Sequence, residues 1–245
     1  MKTKFKIVKV ILGLILLGFL VGFSVRRNAC RTVNAINIKI EHQNNNYFLN
    51  DSVIKDLLDD PNQSIMKTPI GNLDVYEMEK KVNESPYIDS VQVTKDLSGN
   101  VNLDIKQKEP IGRVNNAKDE YYITTDGERM PLSKVYSAPV MMIAGNVKKD
   151  EFQDLSDMIQ FINGDNLLKN HIIGIQKVGQ RSFNLIVNKG NYVIELGTLN
   201  NYERKLNNLK LFYNQYLNFV GLEKYKKISI KFINQVVATK INENE

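Results

Sequence analysis

Ile88-Asp-Ser-Val-Gln-Val-Thr94, Ser98-Gly-Asn100 and Val101-Asn-Leu-Asp-Ile105 form the stretch that decides how the first half of this chain folds. Ile88, Val91 and Val93 are apolar, and Val101–Ile105 alternates cleanly. Successive side chains of a strand point to opposite faces, so both segments read as half-buried strands. Ser98-Gly99-Asn100 between them is hairpin chemistry. Upstream, Ser85-Pro86 stops a helix that Asp74 and Glu77 open as a capping-box pair, with Val75, Met78 and Val82 facing inward. Before it, Asn50-Asp51-Ser52 offers N-cap oxygens to a helix carrying Val53, Ile54, Leu57 and Leu58 on one stripe, ended by Pro61-Asn62. The polar run Glu41–Asn46 is a turn, and Ile36-Asn-Ile-Lys-Ile40 alternates strictly. The order is β-α-α-β-β, two helices covering one face of a three-stranded sheet.

Further out lies the segment Ile7–Val25. From Val10 to Val25 there is no charged residue. With Lys9 able to extend its ammonium toward the interface, the run is long enough for a hydrocarbon core, which takes roughly 17–25 residues. A cleaved signal peptide is the competing reading, with Gly22-Phe23-Ser24 as its site. Its apolar region runs ~7–15 residues, however, and here Arg26-Arg27 follows directly. Lys2, Lys4, Lys6 and Lys9 precede the span and Arg26, Arg27 and Arg31 follow it. That bias and the short N-terminal segment favour a cytoplasmic N-terminus, a single-pass type II arrangement.

Glu109 to the end forms a second region. Tyr121–Thr125 and Glu128–Leu132 flank Asp126-Gly127 as a hairpin. Pro139–Ala144 reads as a strand, and Phe152, Leu155, Met158, Ile159 and Ile162 mark a helix ending near Gly164. Phe183–Val187 and Tyr192–Leu196 pair around Lys189-Gly190. A long helix from Asn201 to Val220 carries Leu206, Leu209, Tyr213, Tyr216, Leu217 and Val220 on its buried stripe. Ile228–Phe232 and its continuation to Thr239 read as one terminal strand. The fold class is α+β: a transmembrane helix, the β-α-α-β-β unit, and a mostly antiparallel β-domain with two helices. The expected boundaries are 1–6 (cytoplasmic tail), 7–25 (span), 32–107, 108–240 and 241–245 (tail).

The net charge of +6 and pI near 9.1 suggest nucleic acid until the charges are placed. Of 33 Lys and Arg, seven lie in the first 31 residues with no acid beside them, leaving 26 basic against 27 acidic side chains in the rest. The excess is a membrane flank, and no nucleic-acid footprint remains. The single cysteine, Cys30, allows no intrachain disulfide. His42 and His171 have no second His or Cys at ligand spacing and read as solvated surface histidines, so neither metal nor cofactor is expected. No nucleophile elbow occurs. Gly112, Gly127, Gly145 and Gly190 read as isolated turn glycines rather than a phosphate loop. Asp59-Asp60 and Asp154/Asp157 are better explained as solvated faces than as acid–base pairs. Nothing here argues for catalysis or a small-molecule substrate.

One anchor, a β-α-α-β-β unit and a second β-rich domain together resemble the bacterial cell division family FtsQ/DivIB over nearly the whole chain. The most specific part is Leu73-Asp74 leading to Ser85-Pro86-Tyr87-Ile88-Asp89-Ser90-Val91-Gln92-Val93. It is similar to the P-Y-[IV]-x-x-[AV]-x-V strand of that family's POTRA domain. Lys108-Glu109-Pro110-Ile111-Gly112 resembles the family's E-R-x-P domain exit without its Arg. Tyr122-Ile123 with Asp126-Gly127, Glu195-Leu196-Gly197 ahead of Arg204-Lys205-Leu206, and Ile228–Phe232 match looser patterns, as in a divergent branch. The resemblance implies a non-catalytic scaffold in the inner membrane, its module outside the cytoplasm at the division septum, binding FtsB- and FtsL-like partners at the last strand. The implied contact residues are Lys231, Phe232, Ile233, Asn234, Gln235, Val236 and Val237, with Arg204 or Lys205 adding charge. A terminal strand with open N–H and C=O groups is in any case a template for strand addition. The competing readings are another POTRA-bearing envelope biogenesis or translocation component, which would need more repeats or barrel strands, and a membrane-anchored envelope enzyme, which would need a catalytic constellation.

Overall fold

Asn50 and Asp74 both act as the sequence chemistry requires, and from them the first unit builds itself. The structure, a computed structural model, describes residues 2–41, 46–59, 64–220 and 222–241, with side chains for all of these except 2–8, 10, 28, 216–220 and 222. His42, Asp60, Pro61-Asn62 and the tail beyond 241 lie outside the described residues, as do the side chains of Tyr216, Leu217 and Val220.

The chain divides into two compact units, Met1–Gln107 and Lys108–Glu245. In the first, helix α1 spans Lys2–Ala29. Ile11, Leu14, Leu17, Phe19 and Phe23 are each more than half exposed along it. Among the described residues no helix is long and apolar enough to cross a membrane. The continuously described side chains of α1 are those of Ile11–Arg27.

Strand β1 (Ile36–Glu41) leads to α2 (Asp51–Leu58), where Asn50 accepts from the Val53 amide at 2.9 Å. The segment before α2 is held by a residue that periodicity does not expose. Buried Gln107 accepts from the Phe48 and Leu49 amides at 3.1 and 3.2 Å and donates to the Asn46 carbonyl at 3.1 Å. Helix α3 (Val75–Asn83) begins where Asp74 accepts from the amides of Tyr76 and Glu77. Strands β2 (Ile88–Lys95) and β3 (Val101–Gln107) form the expected hairpin, and the sheet order is β1-β3-β2. β1 joins β3 in parallel because two helices intervene between β1 and the hairpin. Ile54, Leu58, Met78 and Val82 bury against Leu103 and Ile105 of β3, each such side chain contributing roughly 1.5–3 kcal/mol of transfer free energy.

Among the described residues, the strands of the second unit form one nine-stranded sheet. It contains β4 (Pro110–Asn115), β5 (Glu120–Thr124), β6 (Arg129–Pro131), β7 (Met141–Ala144), β8 (Ile172–Lys177), β9 (Phe183–Val187), β10 (Val193–Gly197), β11 (Tyr225–Ser229) and β12 (Val237–Lys240). The order is β12-β11-β10-β9-β8-β7-β4-β5-β6. Helices α4 (Phe152–Asn163), α5 (Asn166–His171) and α6 (Tyr202–Val220) supply the long crossovers that parallel neighbours need: α4 and α5 join β7 to β8, and α6 joins β10 to β11. Leu155, Met158, Ile159 and Ile162 of α4 and Leu206, Leu209 and Tyr213 of α6 are fully buried, as their spacing requires.

Four expectations need correction. The unit has a third helix, α5, and two further strands, β4 and β8. Gly112 lies inside β4, where a Cβ would come within 2.7 Å of Ile143 Cδ1, so it marks close packing rather than a turn. Gly127, Gly145 and Gly190 do take positive φ, as turn glycines do. His171 is half-buried instead of solvated: its Nδ1 lies 2.9 Å from the Leu167 carbonyl and its ring 5.2 Å from that of Tyr213. The terminal strand is two strands, β11 and β12, folded back as an antiparallel hairpin.

Candidate partner-binding edge

Helix α6 sets β11 in place. Tyr213 of α6 meets Tyr192 through a buried hydroxyl pair at 2.8 Å, and burial pushes the Tyr213 phenol far above its ordinary range. β11 then runs parallel to β10, and the ladder is prolonged where the Ile230 amide donates to the Glu195 carbonyl at 2.9 Å. Burial acts to raise the Glu195 carboxyl. The hydrogen bonds and charges of Lys231 and Lys227, at 3.2 and 3.4 Å, outweigh it and hold the group below the usual carboxylate value.

Beyond β11 the chain turns. Gln235 N–H donates to the Phe232 carbonyl at 3.3 Å, and Asn208 of α6 donates through Nδ2 to the Ile233 carbonyl at 2.5 Å. This turn separates the expected contact residues. Lys231, Phe232, Ile233, Asn234 and Gln235 lie in the connection, Val236 leads out of it, and only Val237 belongs to β12, its first residue. The sequence signal for the break was the polar pair Asn234-Gln235, hidden by the apolar Phe232-Ile233 before it and Val236-Val237-Ala238 after it.

Lys205 cannot present its charge: it is 3% exposed, donates to the Thr198 carbonyl at 2.8 Å, and burial lowers its pKa. Arg204, the next residue back, is exposed.

β12 is the outermost strand of its sheet. Ile241 N–H donates to the Lys224 carbonyl at 2.9 Å. Alternation along an antiparallel pair then directs the Thr239 and Val237 amides toward β11 and those of Ala238 and Lys240 outward. Among the described residues no side chain bonds these two outward amides. Beside the strand is a groove of ≈ 300 Å³, walled by Leu211, Phe212 and Gln215 of α6 and by Asn234, Val236 and Ala238. Leu211 in its wall is exposed, as are Phe232 in the connection and Ile241 just past β12. The arrangement offers backbone pairing along one line and apolar surface next to it. That suits an extended peptide and provides no acid, base or nucleophile. No group of His, Cys, Asp and Glu able to hold a metal ion occurs among the described residues.

Residues 109–239 match the family model described as FtsQ/DivIB, C-terminal related, and residues 29–106 match that of a POTRA-like domain. Among solved structures, the chain is similar to the major extracytoplasmic domain of the trans isomer of the bacterial cell division protein DivIB from Geobacillus stearothermophilus. The identity is 13%, over 46% of this chain and 97% of that one, with a TM-score of 0.33. A superposition that loose adds nothing to the fold argument. No curated protein matches the chain.

Proposed function

The chain belongs to the FtsQ/DivIB, C-terminal related family, and on that premise we propose that it is a non-catalytic scaffold of the bacterial cell division complex. Its organisation on this reading is a cytoplasmic tail at 1–6, a membrane span at 7–25, a POTRA-like domain at 32–107 and a partner-binding β-domain at 108–240, closed by a tail at 241–245. The uncharged run Val10–Val25 supports the anchor. The lysines before it and the size of the module after it support a type II orientation, with both domains in the periplasm or extracytoplasmic space at the septum. The partners are division proteins of the FtsB and FtsL kind.

The observation that carries this reading is the edge position of β12, with the outward amides of Ala238 and Lys240. A partner segment adds there as a tenth strand, and its side chains reach the groove beside α6. Lys231, Phe232, Ile233, Asn234 and Gln235 then border the added strand from the connecting turn, Val236 and Val237 lie along it, and Arg204 supplies charge nearby. Removing Ile228–Thr239 would take away the buried end of β11, an interior strand, as well as most of β12, and would test folding more than binding. The cleaner variants are a chain ending at Val236 and the substitution Ala238→Pro, which deletes one outward amide at an edge where proline is tolerated. Both are expected to lose copurification of FtsB- and FtsL-like proteins. Undiminished copurification from a folded variant would overturn the strand-addition reading.

A further inference from the structure

Where α1 ends, the chain does not pass into a linker. The Arg31 carbonyl accepts from the Ile70 amide at 2.7 Å, Thr32 bridges Pro69 in antiparallel fashion, and Val33 donates to the Thr68 carbonyl at 3.2 Å. Asn34 donates to the Gly99 carbonyl at 2.8 Å, and the Ala35 carbonyl accepts from Val101 at 2.9 Å. Arg31, Val33, Asn34 and Ala35 are thus each tied to the domain by a backbone hydrogen bond, with Thr32 held opposite Pro69 between the first two, and Val33 is buried in the core with Ile65 and Leu103. A flexible connection would leave these groups to water.

The domain also reaches the helix itself. At Gly71, in the 3-10 turn Ile70–Asn72, a Cβ would stand 2.8 Å from the Ala29 Cβ and 2.9 Å from its carbonyl oxygen. Any side chain at this position would pry the turn from the helix end. On its other side the turn is anchored to the hairpin, because Lys95 Nζ donates to the carbonyls of Ile70 and Leu73 at 3.2 and 3.1 Å. The turn is gripped from both directions.

We propose that α1 and the POTRA-like domain form one rigid body, with the Ile70–Asn72 turn as its joint and the last turn of α1 as the surface it docks on. The consequence for the membrane rests on the reading of α1 as an anchor: the tilt of the helix then fixes the orientation of the domain. The exposed Arg26, Arg27 and Arg31 beside the joint meet lipid phosphates.

The test uses the full chain in lipid nanodiscs, with the sole cysteine removed by Cys30→Ser and nitroxide labels on a Ser24→Cys variant in α1 and a Ser90→Cys variant in β2, both exposed positions. Pulsed dipolar spectroscopy is expected to give one narrow distance distribution, and Gly71→Leu to broaden it. Leu103 and Ile105 amides should stay protected from exchange in that variant. A broad distribution in the chain carrying native Gly71 overturns the proposal, as does a narrow one that Gly71→Leu leaves unchanged. Should Gly71→Leu unfold the domain, exchange at the Ile70 and Val33 amides of the unsubstituted chain decides. Protection like that of β3 supports the joint, and exchange at open-chain rates rejects it. If the chain elutes apart from the lipid, the anchor reading fails on its own, and the same distance measured without lipid still judges the joint.

Discussion

Two edge strands, β2 in the first unit and β12 in the second, present the same hazard and meet it differently. β2 is the outer strand of its sheet, yet the amide of Val93 donates to the carboxylate of Glu79 at 2.8 Å. Helix α3 thereby covers one position of that edge with a charged side chain, a common way of blunting an unpaired strand. β12 has no such guard among the described residues: its strand is mostly exposed, and the nearest helix, α6, leaves a groove instead of a cap. Protection at one edge and its lack at the other locate the more available template in the second unit.

Leu103, 1% exposed, lies in β3 opposite Val93. Leu103→Ala should cost about 2–5 kcal/mol and raise amide exchange throughout β1–β3, while β11 and β12 keep their rates. Exchange mapped by NMR or mass spectrometry checks this. A narrower change removes only the guard: Glu79→Ala leaves a half-buried donor unsatisfied at an expected cost of about 1–3 kcal/mol. The signature is faster exchange at Val93 with little change at Val91 or Thr94, and denaturant melts give the stability.

The smallest effect bears on the scaffold behind the second edge. Asp165 caps α5 by accepting from the Leu167 and Leu168 amides at 3.0 and 3.1 Å, and it pairs with Lys210 of α6. The Lys210 hydrogen bond, helped by those amides, holds its pKa below the ordinary aspartate value of 3.8. A depressed carboxylate stabilises the fold above its unfolded pKa, and that stability is lost as pH falls through the folded value. Asp165→Asn keeps the cap and loses the Lys210 ion pair, so it should cost at most about 1 kcal/mol near neutrality. The gap from the native chain should close as pH drops below 3.8, as read from melts across pH.

Why the first unit was the legible one follows from its exposure. β1 buries every second residue, half-buried Ile36, Ile38 and Ile40 alternating with exposed neighbours, so a period of two reaches the sequence. In β4 and β5 the neighbours press on both sides, and four of five residues of Tyr122's strand are buried, which erases the alternation. β4 was further disguised by Pro110 and Gly112, which read as punctuation although Gly112 serves to admit Ile143. Gly174 hides β8 in the same way, since a Cβ there would lie 3.2 Å from the Met142 carbonyl of β7. At the candidate edge, the apolar Phe232-Ile233 and Val236-Val237-Ala238 read as one continuous strand, and a two-residue polar break between them could not announce a reversal. Lys205 looked like surface charge because its carbonyl partner, Thr198, is supplied by the fold.

On the proposed reading β12 receives a partner strand, and amide exchange of the full chain with and without an FtsB-like partner is the decisive measurement. Binding should slow the outward amides of Ala238 and Lys240, leave Val93 of β2 unchanged, and vanish in Ala238→Pro. A partner that binds the Ala238→Pro chain undiminished, or that protects β2 and not β12, would contradict it.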